Sequence, residues 1–179
     1  HAARSSHRNT RGRATIRLAR PARALMRRLA LLIATFGYVV YAPVAPGTFG
    51  SAAGLALFFA IRSTGSMALE VGAIVALFAV GVWAGTVAEH HFGGVDPGPI
   101  VLDEVVGMLI TLFLLRVNTA GAVTAFFVFR ILDVVKPFPS AHFEKLPGGL
   151  GVMADDGMAA IYGNLAMRGA MMLVPGWLS

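Results

Sequence analysis

Breaks, more than periodicity, divide this chain. From Leu29 to Ile61 no residue is charged, yet Gly37, Pro43, Pro46, Gly47 and Gly50 interrupt the apolar run. Clusters of glycine and proline mark loops. The pattern therefore predicts a helix over about 25–40, a loop over 41–50 and a second helix from Ser51 to about Arg62. After the Ser63-Thr64-Gly65-Ser66 break, a long apolar helix is predicted over about 67–91, and its stretch Val71–Ala88 runs 18 residues without a charge. That is just inside the ~17–25 residues needed to cross a bilayer. A Gly/Pro loop at 92–99 leads to predicted helices over about 100–116 and 119–136. Pro137 and Pro139 stop the latter, since proline lacks the amide donor and clashes with the preceding turn. A loop over 137–151 and a last helix over roughly 152–174 complete the chain. No alternating strand pattern and no internal repeat is present. The expected fold is all-α, a compact bundle of about six helices, several of them membrane-embedded.

Composition sharpens this picture. Hydrophobic residues make up 56% and charged residues 13%, against about 25% charged in an ordinary soluble domain. The absence of cysteine excludes disulfides, thiolate metal sites and a cysteine nucleophile. The net charge of +6 is unevenly placed: nine arginines and no acid lie within residues 1–28, leaving six basic and nine acidic groups for the remainder. The basic character thus belongs to an arm, and a nucleic-acid partner for the whole chain is excluded. The arm has the Arg-rich, acid-free look of a transit peptide and also suits a positive-inside flank. Residues 1–24 are expected to be a disordered, non-catalytic arm and residues 25–179 a single helical domain.

In so apolar a chain the placement of each acid carries information, because an ionisable residue within a membrane segment is expensive to keep. Glu70 and Glu144 stand beside breaks and are expected to be solvated. Glu89, Asp96, Asp103, Glu104, Asp133, Asp155 and Asp156 fall at helix ends or inside apolar helices. Arg130, Asp133 and Lys136, spaced i, i+3, i+6, are expected to share a helix face. A salt-bridge ladder explains Arg130 with Asp133. It does not explain the adjacent acids 103/104 and 155/156, which need an external cation. Carboxylates without thiolates favour a hard ion with oxygen ligands, and magnesium fits best. His90-His91 and His142 are weaker candidates for a softer metal, a histidine pair at a helix end being more often a capping feature. The segment Pro46–Ser51, PGTFGS, opens a helix, and amides at a helix N-terminus with two nearby hydroxyls make an anion cradle. Gly47, Thr48 and Ser51, together with Arg130 and Lys136, are the expected phosphate-binding set.

Four blocks, PVAPGTFGS (43–51), DPGPIVLDEVVG (96–107), FRILDVVKPFP (129–139) and GGLGVMADD (148–156), resemble the signature segments of the phosphatidylglycerophosphatase A family, in order and spacing. The resemblance extends over about residues 29–170. It implies a magnesium-dependent bacterial inner-membrane enzyme, multi-pass, that acts on a phospholipid and removes the terminal phosphate of phosphatidylglycerophosphate. Residues and resemblance together make Asp103, Glu104, Asp155 and Asp156 the expected metal ligands, with Asp96 and Asp133 as additional or supporting ones. Arg130 and Lys136 are expected to stabilise charge on the phosphate, and Thr48 with nearby amides to orient it. Either a water or a carboxylate could attack phosphorus. The catalytic face is expected toward the cytoplasm, where the basic flank remains. Two positions depart from the family pattern, Ser140 and Ala160.

Rival readings fit less well. Pro139-Ser140-Ala141-His142 echoes the histidine-nucleophile lipid phosphatases, but no histidine follows His142. Haloacid-dehalogenase-type phosphatases need an Asp-x-Asp on a strand, and CDP-alcohol phosphotransferases need an Ala-Arg after Asp156-Gly157. A small cation channel or transporter would account for the intramembrane acids, but not for the Gly/Pro loops or the basic pair.

Overall fold

A computed structural model describes residues 46–92, 101–143 and 145–178, together with residues 25, 26, 28, 29 and 32. Among them seven helices and no strand are found: α1 (Pro46–Arg62), α2 (Met67–Phe92), α3 (Leu102–Leu112), α4 (Thr119–Val135), α5 (Ser140–Phe143), α6 (Gly149–Leu173) and α7 (Pro175–Leu178). The expected basic arm lies outside the described residues, as do Asp96 and Glu144.

The short α3 is the axis of the bundle. After the acids of its first turn it is apolar nearly all round, and a helix of that kind must be surrounded. Leu102, Val105, Val106, Met108, Leu109 and Leu112 are all buried, covered by α1, α2, α4 and α6. α1 packs closest because it offers no side chain at the contact: a Cβ on Gly54 would lie 2.7 Å from the Val105 carbonyl oxygen and 2.8 Å from Met108 Cβ. The same demand explains why α1 starts at Pro46 and not at Ser51 as expected. Proline suits the first helical position, and the glycines that read as a loop are small residues of a helix seam. At its other end α3 stops at Leu112, four residues early, where Leu114 takes a left-handed φ of 58°. The carbonyls left open by that termination lie within hydrogen-bond distance of Asn164 Nδ2, at 3.2 Å (Ile110), 3.0 Å (Thr111) and 2.9 Å (Phe113), and Arg168 Nε donates to Asn164 Oδ1 at 2.8 Å.

α6 begins at Gly149, three residues earlier than expected, because the Gly149 amide finds an acceptor in Thr86 Oγ1 of α2 at 2.9 Å. The two helices then run antiparallel along a close seam. A Cβ on Gly85 would lie 2.9 Å from the Gly149 Cα, Gly81 abuts Met153, and Gly157 faces Phe78. The loop expected over 137–151 contains the single turn α5, and α7 forms where the chain was expected to end its helices. Asn118 caps α4 by accepting from the Gly121 amide at 2.9 Å.

Among the described residues one helix is long and apolar enough to cross a membrane: α2, over Met67–Val87, 21 residues. Most of that segment is not covered by protein, and Leu69, Val71, Val75, Val80 and Trp83 are exposed. Several embedded helices were expected, and this is the single candidate among the described residues. α1 and α4, 17 residues each, reach only the lower limit for a span and α3, at 11, falls below it, and α6 carries Asp155, Asp156 and Arg168.

Candidate functional site

Three helices bring charge to one place. Asp103 and Glu104 stand in the first turn of α3, and Asp156 lies in the second turn of α6. One carboxylate oxygen of each lies within 4.8 Å of the other two. Asp103 and Asp156 are buried, and Glu104 Oε2 and Asp156 Oδ2 are buried with no hydrogen-bond partner. α4 supplies Arg130, whose Nη1 contacts Asp133 Oδ2 at 2.6 Å and Glu104 Oε1 at 3.8 Å. The N-terminal turn of α1 closes the group. Gly47 abuts Glu104 Oε1, and a Cβ there would lie 2.8 Å from the Arg130 guanidinium nitrogens. Only a glycine lets the free amides of that turn come so near.

The electrostatics follow from this crowding. Burial pushes the Glu104 carboxyl up from 4.5 to about 7; the charges of Asp156 and Asp133 add to the rise, while a hydrogen bond with Asp103 and the charge of Arg130 oppose it. Asp156 is also raised well above the ordinary carboxylate range, by burial first and then by Asp103, Asp133 and Asp155. Such a group resists being left as bare anions. Oxygen-only donors with buried, unsatisfied atoms are what a hard divalent cation requires, so Asp103, Glu104 and Asp156 fit a metal on chemistry as well as position.

Asp155 is placed elsewhere. It receives an ion pair from Lys136 and a hydroxyl proton from Ser140 Oγ, 2.8 Å from its Oδ1 and 2.9 Å from its own carbonyl oxygen. Lys136 does not share the face of Arg130 and Asp133. It is the left-handed C-cap of α4, with φ 47°, and that turn directs it to α6. Ser140, noted in the sequence as a departure from a pattern and in the echo of another phosphatase motif, is fully buried and structural to this pair. A lone hydroxyl beside two prolines in an apolar stretch was the available signal. Thr48 is exposed at the α1 turn, whereas Ser51 is buried and donates back to the Gly47 carbonyl at 2.9 Å. His142 is exposed and stacks edge-on against Phe138, 5.1 Å between ring centres. Ala160 is a buried core residue. Glu70, expected to be solvated, is buried and paired with Arg62 at 3.1 Å.

Comparison with known proteins bears on the same region. The Phosphatidylglycerophosphatase A family matches residues 32–171. A Bacteroides thetaiotaomicron protein, provisionally named a phosphatidylinositol-3-phosphatase, is 37% identical over 142 residues, covering 75% of this chain and 88% of its own. Proteins from Haemophilus influenzae and Escherichia coli, both named Phosphatidylglycerophosphatase A, are 36% and 35% identical over 141 and 123 residues. These cover 78% and 66% of this chain, and 86% and 70% of their own length. No solved structure matches the chain significantly.

Proposed function

Because the chain belongs to the phosphatidylglycerophosphatase A family, we propose that it hydrolyses the terminal phosphomonoester of phosphatidylglycerophosphate, yielding phosphatidylglycerol and phosphate. The observation that carries this reading is the convergence of Asp103, Glu104 and Asp156 beside Arg130 and the amide end of α1. A cation channel has no use for the last two.

Asp103, Glu104 and Asp156 would hold magnesium, with Asp133 supporting Asp156 from the adjacent helix. When bound there, magnesium supplies positive charge to phosphate oxygens and a water of lowered pKa. The remaining work falls to the chain itself. Arg130, fixed between Asp133 and Glu104, directs its other N–H groups at equatorial phosphate oxygens, where a preorganised donor is worth most. The α1 amides, bared by Gly47, and the exposed Thr48 hydroxyl hold the phosphate against them. Lys136 adds a second cation, kept in place by Asp155 and Ser140. Asp96 is a further ligand on this reading.

The catalytic unit is residues 25–179, with residues 1–24 a basic arm outside it. α2 crosses the bacterial inner membrane, and the exposed Phe127, Ile131, Val134 and Val135 of α4 rest against lipid, with the carboxylates accessible from the cytoplasm.

Phosphate release from phosphatidylglycerophosphate by the detergent-solubilised protein tests the reading. It should require magnesium and stop in EDTA, with phosphatidylinositol 3-phosphate a slower substrate. No release under any divalent metal overturns the assignment. Faster release from the inositol lipid moves it to the activity named for the Bacteroides relative.

A further inference from the structure

The buried Glu70 marks a second polar region, away from the carboxylates along α2. Asp156 stands between Met153 and Gly157 of α6, which face Gly81 and Phe78 of α2. Glu70 is eight residues before Phe78, or about 12 Å along the helix axis, just inside the apolar segment that begins at Met67. Here the end of α1, the start of α2 and the segment after α3 enclose a cavity of about 350 Å³, bordered by Arg62, Ser66, Met67, Glu70, Leu114 and Arg116.

Its charged groups are only partly satisfied by one another. Arg62 is held firmly: Nη1 donates to Glu70 Oε2 at 3.1 Å, Nη2 to the Leu115 carbonyl at 2.6 Å, and its guanidinium lies 5.6 Å over the Phe58 ring. Glu70 Oε1 has no hydrogen-bond partner although it is buried. An unsatisfied carboxylate oxygen in such a place is expensive unless a ligand donates to it. Arg116 borders the cavity from its exposed side. Two guanidiniums and one carboxylate give the cavity a net charge of +1.

Two further hollows lie close to it, the second starting at Val71 and Phe113, the chain neighbours of Glu70 and Leu114. One of about 310 Å³, lined in part by Phe58, Phe59 and Val117, shares Arg62 and Arg116 with the polar cavity. The other, of about 200 Å³, is lined wholly by Val71, Ile74, Val75, Ile110 and Phe113 on the uncovered side of α2. A polar cavity of charge +1 with two hollows close by, at the end of an apolar helix, matches an amphiphile with one negative charge and two tails.

We propose that this is a binding site for an intact anionic phospholipid with a hydroxylated phosphodiester head group. The phosphodiester lies between Arg62 and Arg116, a head-group hydroxyl donates to Glu70 Oε1, and the acyl chains follow the two hollows. A zwitterionic lipid leaves the net charge unmatched, and free phosphate leaves the two hollows empty.

The test is thermal unfolding of the full chain in detergent, titrated with phosphatidylglycerol. Because that lipid also resembles a ligand of the carboxylate site, the titration is repeated in Asp103→Asn, which separates this site from the proposed activity. Phosphatidylglycerol should raise the midpoint equally in the wild type and Asp103→Asn. Arg116→Ala, at an exposed position, should weaken the apparent affinity about tenfold, the scale of one charge-assisted contact. Glu70→Gln should erase the preference for phosphatidylglycerol over phosphatidic acid. The proposal is overturned by any one of four results: a shift absent from the wild type, a shift lost in Asp103→Asn, a shift unchanged in Arg116→Ala, or one reproduced by phosphatidylcholine or inorganic phosphate.

Discussion

Asp155 and Asp156 are neighbours with the same side chain, yet the fold treats them oppositely. Successive residues on a helix point about 100° apart, so the pair is split between two helix interfaces. Asp155 meets α4 and α5, where Lys136 neutralises it and Ser140 occupies its remaining acceptor. Asp156 meets α3, where it faces Asp103 and Glu104 and keeps an oxygen without a partner. The first is an anion whose needs the protein satisfies. The second is one whose needs it leaves for something bound. A pair of acids in a sequence is therefore not one functional unit.

The sharpest way to break this contrast is to neutralise the unsatisfied side. Asp156→Asn and Asp103→Asn should each lower phosphate release by more than about 10³-fold, the scale of losing a preorganised electrostatic element. At least one should also abolish the rise in unfolding midpoint that magnesium gives the wild type, since a ligand of the folded state stabilises it by mass action. An unchanged magnesium response in both variants ends the metal assignment.

Lys136→Met should reduce turnover by about 10²–10³-fold, and Lys145→Met, exposed in the segment before α6, by less than twofold. Equal effects in steady-state assays would place the phosphate away from Lys136.

Stability against pH probes the unsatisfied side without catalysis. Glu104 titrates near 7 in the folded chain and near 4.5 when exposed. The folded state thus holds the extra proton between those values, and its contribution is complete below about 4.5 and lost as pH rises through 7. Metal-free protein should lose on the order of 3 kcal/mol between pH 4.5 and 8, and magnesium should restore much of it. Chemical denaturation at the two pH values, with and without the ion, measures this; a metal-free chain more stable at pH 8 contradicts the carboxylate group.

A much smaller effect than that of Asp156→Asn is expected from removing one hydrogen bond on the satisfied side. Ser140→Ala removes one hydrogen bond to Asp155 and should cost about 1–2 kcal/mol in denaturation, with kcat falling less than tenfold. A loss as deep as that of Asp156→Asn would mean the two sides act as one.

The helices were legible because glycine, proline and uncharged runs bound them, and the acids were legible as anomalies in apolar surroundings. Three things were not. The first turn of α1 read as a loop, because Gly47 and Gly50 signal a turn and a close contact equally, and only the neighbouring Glu104 and Val101 decide between them. The partition of Asp155 from Asp156 depends on the rotation of α6, set by the bond from Gly149 to Thr86 63 residues earlier. Glu70 read as solvated beside a break, but that break folds α2 back so that Arg62, eight residues away, covers it.

The glycine seam between α2 and α6 has a consequence for depth. It aligns Phe78 with Gly157, and so fixes the carboxylates nine residues from Val87, the end of the apolar segment. At 1.5 Å per residue that is about 13 Å. With α2 upright in a bilayer, a phosphate resting among the head groups would stand roughly that far above the acids proposed to act on it. The glycines that make the seam tight thus also set how far a lipid must sink, or the surrounding leaflet thin, before its phosphate can be reached. Sliding the seam by one turn would change that distance by about 5 Å without altering a single acidic residue.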